Sequence, residues 1–467
     1  MRSTPEIDAR TGLEKLASYP FHIASWVDEA GYPVSVAVQA TIDPASRVAT
    51  FAPPAGLTIP TDRDVSLTGS HIRPQPGYGY DERRHVTVWG RVSPGIRPDT
   101  MARSLTLTGR EAWGWDETEV PFFEYSERSV PRSRRYFDAL SAERGTPVKP
   151  RLSFGFLAMR TTRLPFLTAT IVPVLLGIAI AASHGVFDLM SAALTVIGAS
   201  FVQLGLNVAN DVFDTVQGAD EANVTPTKFS GGSRVIQYGL VTLRQMASIA
   251  TGFYVAAALV GLVLLATRGS VALLIIGVVG FIVSLGYTAP PLKFVYRGLG
   301  EVAVALGFGP LMLLGAYVVQ TRGALAWEPF VASIPIALLV ALILYVNEIP
   351  DRRGDAHAGK RTLPVRFSRS AIVTGYNLAA VAAYLVVVAG VVTGVLPIPT
   401  LLMLLTIPLA RRVSAGLTPN YDNPYGLMAF MGVNVRLHLA AGVLLLVAYL
   451  VVILAMSLVP GVDLFLG

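Results

Sequence analysis

Two short stretches gather acids next to strongly apolar sequence. One reads Asn207-Val-Ala-Asn210-Asp211-Val-Phe-Asp214-Thr-Val-Gln-Gly218-Ala-Asp220. The other reads Asn347-Glu348-Ile-Pro-Asp351-Arg-Arg-Gly-Asp355-Ala-His-Ala-Gly359-Lys360-Arg361-Thr362-Leu363. From residue 151 onward there are 12 Asp and Glu, and seven fall in these stretches when Glu221 is counted. A carboxylate at a membrane helix centre costs ~2.5–3.5 kcal/mol on insertion scales, so acids kept there in two groups imply a cation between them. On a helix, Asn207, Asp211 and Asp214 (i, i+4, i+7) share one face, and so do Asn347, Asp351 and Asp355 (i, i+4, i+8). Pro350 removes a backbone donor and is expected to kink or restart the second helix. Carboxylate and amide oxygens suit hard cations, and Mg²⁺ commonly binds one or two carboxylates plus substrate phosphates. Two facing clusters of this kind fit a diphosphate bridged by Mg²⁺.

Cations lie beside the acids. The three lysines after residue 151, Lys228, Lys293 and Lys360, all fall in the loops that would surround the clusters. Lys suits phosphate as a point charge and Arg as a fork of donors. Gly231-Gly232-Ser233-Arg234 offers backbone N–H groups to an anion. A single Asp in such a place caps a helix or pairs with an interfacial Arg. An ion pathway is the other alternative, but transporters set their acids near the membrane midplane, whereas these lie at segment ends.

The elements that must position these residues are membrane helices. Nine apolar segments of spanning or near-spanning length run roughly over 163–183, 187–211, 246–266, 270–287, 299–319, 327–347, 370–391, 397–412 and 436–458. With residues 1–150 on the cytoplasmic side, 17 of the 19 Lys and Arg after residue 150 lie on that side, and only Arg268 and Arg322 lie outside. Both acidic clusters then sit at the cytoplasmic ends of helices 2 and 6. The expected location is the plasma membrane of a prokaryote. Met-Arg-Ser-Thr-Pro-Glu opens no apolar run, so no signal peptide is expected. Cysteine is absent, which excludes disulfides and thiolate metal sites. The net charge of +6 arises in the apolar part, from short loops between spans, so nucleic acid is not an expected partner.

Residues 1–150 hold 18 Lys and Arg and 19 Asp and Glu, so a near-neutral polar domain comes first. Val34, Val36, Val38, Ala40 and Ile42 alternate as in a half-buried strand. Asp43-Pro-Ala-Ser is a turn into Arg47–Phe51. Asp64–Thr68 and His85–Val92 supply further strands, and helices are expected near 99–112 and 133–143. The organisation read from this is a soluble β-rich domain over 1–145, a linker over 146–162 with Lys149-Pro150-Arg151 and Arg160, and an all-α membrane domain over 163–460.

The membrane part resembles the UbiA superfamily of membrane prenyltransferases, most closely its MenA-like branch. Arg163-Leu-Pro165 with Pro173-Val-Leu-Leu-Gly177, the Asn207–Asp220 stretch, Tyr287-Thr-Ala-Pro-Pro-Leu-Lys293 with Gly298-Leu-Gly300-Glu301 and Phe308-Gly309-Pro310, the Asp351–Leu363 stretch and Arg436-Leu-His438-Leu carry the likeness. The resemblance implies nine helices and transfer of a prenyl group from an isoprenoid diphosphate to an aromatic acceptor such as 1,4-dihydroxy-2-naphthoate. It implies Mg²⁺ held by Asn207, Asp211, Asp214, Asp351 and Asp355, the four Asp being catalytic. Arg163, Lys228, Arg234, Lys293, Lys360 and Arg361 would bind the diphosphate, and Asn210, Tyr287 and Asn347 would contact substrate. Glu-Ile-Pro-Asp and Leu363-Pro-Val-Arg366 depart from the commoner MenA-like wording. Another aromatic or a polar-lipid acceptor, or a transporter with a regulatory barrel, stay open. The order Phe21-His-Ile-Ala-Ser-Trp, Gly31-Tyr-Pro-Val and Val86-Thr-Val-Trp-Gly90-Arg-Val resembles the split barrels of pyridoxamine 5′-phosphate oxidase-like flavin proteins. Ala52–Pro60 lacks the Arg and Lys that hold flavin phosphate there, leaving Arg63, Arg73, Arg83 or Arg84 as substitutes. A barrel without flavin, serving docking or stability, is the expectation.

Overall fold

Strand alternation builds the first of two separate units, Met1–Tyr136 and Phe137–Gly467. The computed structural model describes residues 6–28, 32–75, 79–96, 103–149, 152–223, 225–459 and 464–466. Gly31, residues 99–102 of the first expected helix, and Pro150 and Arg151 of the expected linker lie outside the described residues.

The first unit runs β1 (Glu6–Ile7), α1 (Ala9–Leu16), β2 (His22–Val27), β3 (Pro33–Val38), β4 (Ala40–Asp43), β5 (Val48–Phe51), β6 (Val65–Gln75), β7 (Gly79–Ile96) and β8 (Arg103–Asp116). The strands pair in the order β3-β2-β6-β7-β8-β5-β4, with β1 on β8. The two ends of this order, β3 and β4, are separated in sequence by Gln39 alone. Consecutive Cα atoms are about 3.8 Å apart, so the sheet must curl until its edges nearly meet. The alternating run over 34–42 is therefore two strands on opposite edges of a barrel-like sheet, not one. Leu13 and Leu16 of α1 plug the sheet against Phe51, Leu67, Val88 and Leu107, all fully buried. The expected hairpin is present, with Asp43 opposite Val48. The expected helix at 99–112 is instead strand β8. Leu105 and Leu107 are buried there between β-branched Thr106 and Thr108, and a period of two outweighs the amphipathic pattern. Arg63 donates to the Val27 and Asp28 carbonyls at 3.1 Å each. Arg73 and Arg83 pair with Glu82 and Glu117.

α2 (Phe122–Arg144) contains the helix expected at 133–143 and runs across the division between the units. The stretch expected as linker is partly helical, α3 (Phe154–Thr162), N-capped by Ser153. Then follow α4 (Thr168–Ser183), α5 (Leu189–Val216), α6 (Ala219–Ala222), α7 (Leu243–Arg268), α8 (Val271–Gly286), α9 (Gly300–Leu306), α10 (Met312–Thr321), α11 (Trp327–His357), α12 (Leu363–Arg366), α13 (Arg369–Val392), α14 (Ile407–Asn420) and α15 (Pro424–Leu458). Among the described residues eight helical stretches are long and apolar enough to span a bilayer, with α9–α10 forming one of them, and α8 is shorter at 16 residues. The protein is an integral membrane protein. α11 is its central helix: 67% of its most apolar window is buried, against 11% for α7, which leaves α7 facing lipid. Leu176, Leu313, Ile336, Val346, Tyr376 and Leu437 fill the core between α4, α10, α11, α13 and α15.

Candidate active site

The acids are delivered by the last turns of α5 and α11. Asn207, Asp211 and Asp214 end α5, and Asp211 and Asp214 are buried. α11 continues as helix through Pro350 to His357, so Asn347, Asp351 and Asp355 do share one face and no restart intervenes. The loop after α6 is pressed onto α11. A Cβ added at Gly354 would sit 2.9 Å from the Asn223 Cα.

Each carboxylate has partners. Asp211 accepts from the Arg163 guanidinium and from the Ser233 N–H at 3.1 Å. Asp214 accepts from the Tyr296 hydroxyl at 2.8 Å, Asn210 Nδ2 at 3.1 Å and Lys360 Nζ at 3.2 Å. Asp351 accepts from Asn223 Nδ2 at 2.8 Å and the Gly231 N–H at 2.9 Å. Asp355 accepts from Thr362 Oγ1 at 3.4 Å and faces Lys360 Nζ at 3.8 Å. The Gly231–Ser233 amides, expected to cradle a substrate anion, thus cradle one Asp from each cluster and clip the two helix ends together.

Charge is crowded here. Burial pushes the Asp220 carboxyl well above its ordinary range, and the charges of Asp211 and Asp214 push it further, against Arg234 and Arg163. Burial opposes the charge on Lys360, but Asp214 and Asp355 outweigh it and hold the ammonium well above its ordinary pKa. Among the described residues no three acid or imidazole groups converge tightly enough to hold a metal by themselves. That fits Mg²⁺, which takes one or two carboxylates and completes its shell with substrate oxygens and water. Asn210 Oδ1 is a buried, unbonded acceptor on the same wall, available to such a cluster.

Arg163, Asn207, Asn210, Asp214, Tyr287, Asn347, Asp351, Asp355 and Lys360 line one cavity of about 180 Å³. Asp211 stands behind this wall. Four expected diphosphate ligands do not line it. Lys228 and Arg361 are exposed to solvent. Lys293 packs its Nζ 5.6 Å from the Tyr296 ring centre. Arg234 is buried and grips the Asp220 carbonyl. Sequence reading left Asp220, Asn223, Tyr296 and Glu348 out of the site. Asp220 and Glu348 stood inside the acidic stretches, whereas Asn223 and Tyr296 carry no local signal. A second cavity of about 540 Å³ lies between α5, α7, α8 and α10 and is walled almost wholly by apolar side chains. The two share Gln203, Leu206, Tyr287, Val304 and Phe308. A polar chamber therefore lies directly against an apolar one.

Residues 170–434 match the UbiA prenyltransferase family. The chain is 27% identical over 307 residues to the 1,4-dihydroxy-2-naphthoate octaprenyltransferase of Bacillus subtilis (strain 168), covering 66% of this chain and 96% of that protein. It is 32% identical over 247 residues to the enzyme of the same name from Mycobacterium tuberculosis (strain ATCC 25618 / H37Rv), covering 52% of this chain and 80% of that one. A solved UbiA homolog from Archaeoglobus fulgidus, bound to GPP and Mg²⁺, overlays with a TM-score of 0.45 at 14% identity, covering 62% of this chain and 99% of that one. The chain belongs to the UbiA prenyltransferase family.

Proposed function

We propose that this protein transfers a prenyl group from an isoprenoid diphosphate to 1,4-dihydroxy-2-naphthoate or a closely related quinone precursor. One observation carries the reading. A chamber lined by Asp214, Asp351, Asp355, Arg163 and Lys360 lies directly against an apolar cavity, which matches a substrate with a diphosphate head and a hydrocarbon tail. Relatives named 1,4-dihydroxy-2-naphthoate octaprenyltransferase support the acceptor.

Asp211, Asp214, Asp351 and Asp355, with Asn207, are the groups that would hold Mg²⁺. Bound there, the ion supplies Lewis-acid stabilisation of charge on the diphosphate. Arg163 and Lys360 bind the remaining phosphate oxygens, and their fixed charges favour the departing diphosphate over the ester. The C–O bond breaks with its electron pair on the diphosphate. The allylic carbon is then taken by the ring carbon that bears the carboxylate, which leaves as CO₂. Tyr287, at the junction of the two cavities, faces the reacting carbon. Burial and then Glu348 hold its phenol well above its ordinary pKa, so it stays neutral.

We also infer nine crossings, with the acids on the cytoplasmic side of a prokaryotic plasma membrane. The basic residues of the loops support this side. The N-terminal sheet is proposed to be a split barrel that serves docking or stability without flavin. Purified protein incubated with Mg²⁺, a series of prenyl diphosphates and several aromatic acids should yield a prenylated quinol by mass spectrometry of the lipid extract. Asp211→Asn should lower its formation by ~100-fold or more, the scale of losing a transition-state charge partner. Absence of any prenylated product, under conditions where a B. subtilis-type enzyme works, sinks the assignment.

A further inference from the structure

Glu348 has no part in holding the diphosphate as described above. Its side chain is only 5% exposed and forms part of the polar cavity wall. Apart from the Glu301 carboxyl, no group bonds its Oε1 or Oε2. Glu301, at the start of α9, is hydrogen-bonded to Glu348, so the two carboxyls share one proton. Asn347 Oδ1 on the same wall is unbonded. Two carboxyls that share one proton have no second one to donate, and Asn347 Oδ1 is an acceptor only. Buried acceptors are ordinarily satisfied, so the cluster calls for a ligand that brings O–H donors. A prenyl diphosphate brings none, since its head carries acceptors and its tail carries neither. A dihydroxy aromatic ring brings two.

Position agrees with chemistry. The prenyl carbon that reacts joins the head to the tail, so it belongs where the polar and apolar cavities meet. Tyr287 lines both cavities, and the charges of Glu348 and Glu301 both reach it. The unbonded acceptors therefore stand beside the place where an aromatic acceptor must present its ring.

We propose that Glu348, backed by Glu301, receives the hydroxyl next to the carboxylate-bearing carbon of the aromatic acceptor and holds its proton during transfer. The inference rests on the prenyl-transfer reading above. As the new C–C bond forms, the hydroxyl oxygen supplies electron density to the ring and its proton passes to Glu348. Loss of CO₂ then returns a bonding pair to the ring, and Glu348 gives the proton back to the oxygen. No proton is gained or lost overall.

The test uses the full chain in detergent with Mg²⁺, geranyl diphosphate and either 1,4-dihydroxy-2-naphthoate or its 1-O-methyl ether. Glu348→Gln should lower turnover of the dihydroxy acid by ~10²-fold or more, within the range for general acid–base groups. The KM for geranyl diphosphate and the Mg²⁺ dependence should not move. The methyl ether, already slow with the unmodified protein, should be slowed no further. Glu301→Gln should weaken the same discrimination to a smaller degree. If Glu348→Gln does not yield folded protein, Glu348→Asp, which keeps a carboxylate one methylene shorter, must retain part of the preference for the dihydroxy acid. Equal slowing of both acceptors, a raised Mg²⁺ requirement, or unchanged turnover would overturn the proposal. Failure of the unmodified protein on every aromatic acid would instead remove the prenyl-transfer reading.

Discussion

Gly232 and Gly218 adopt nearly the same left-handed backbone, with φ of +75° and +80°, but their surroundings differ. A Cβ at Gly232 would lie 2.8 Å from Asp220 Oδ1 and 3.3 Å from Asp211 Oδ1, whereas one at Gly218 meets nothing within 4 Å. An L-residue in this conformation costs roughly 1–2 kcal/mol in either place. Only at Gly232 does it also push the loop off the acids, stretching the Ser233 N–H to Asp211 and the Gly231 N–H to Asp351. Losing a hydrogen bond to a charged group adds about 1.5–3 kcal/mol. Gly218→Ala should therefore cost stability with activity largely kept. Gly232→Ala should lower both the melting temperature in detergent and the transfer rate, the rate by ~10-fold or more, since each 1.36 kcal/mol of lost transition-state stabilisation is tenfold. Equal effects of the two changes on the rate would mean that the loop does not hold the acids in place.

At the scale of helices, a second set of ties closes the other end of the bundle. Glu328 and Asp355 stand at opposite ends of α11. Glu328 accepts from the Tyr449 hydroxyl at 2.8 Å and contacts His184 Nε2 at 2.6 Å, while His184 Nδ1 meets the Tyr317 hydroxyl at 2.9 Å. One carboxylate thus joins the end of α4 to α10, α11 and α15. The hydrogen bond to Glu328 raises the His184 pKa above 6.5, against its burial. A raised folded-state pKa gives stability that is complete below the unfolded value and lost as pH climbs through the folded one. The melting temperature in detergent should therefore fall as pH rises past about 6.5, where histidine ordinarily changes charge. His184→Gln should lower it more at the acid end, flattening the profile; an unchanged slope would remove His184 as its source. Such ties were not legible in the sequence, because they join residues more than a hundred positions apart. The helices were legible, with one systematic error. Hydropathy placed the end of α11 near 347 and the start of α15 near 436, where the helices extend to His357 and begin at Pro424. Apolarity marks where lipid begins, not where a helix ends. Polar turns stay helical when other protein packs on them, and those extra turns carry Asp351 and Asp355. Asn223 and Tyr296 had no such mark, since only loop closure brings them to the acids.

At the scale of the whole chain, the site itself constrains how many times the chain crosses the membrane. α8 has 16 residues, about 24 Å at 1.5 Å per residue, against a hydrocarbon core of ~30 Å. By length alone α8 is a doubtful span. The loop over Gly231–Ser233 bonds Asp211 at the end of α5 and Asp351 near the end of α11, so those two ends lie on one side of the membrane. Between them run α7, α8, the α9–α10 stretch and α11. Three crossings would leave the ends on opposite sides, and only four return them to the same side. The nine crossings proposed above therefore need α8 to cross, its shortfall met by local thinning of the bilayer or by its flanking residues. The absence of cysteine makes the check direct, because one introduced thiol is the only target for a maleimide. In intact cells a membrane-impermeant maleimide should label Thr267→Cys, at the end of α7. It should label Arg297→Cys, after α8, and Arg361→Cys, after α11, only once the membrane is opened. Labelling of Arg297→Cys from outside with Arg361→Cys protected would place the two ends of α8 on one face. The acids of α5 and α11 would then need some other route to a common loop, and the parity argument would fail with it.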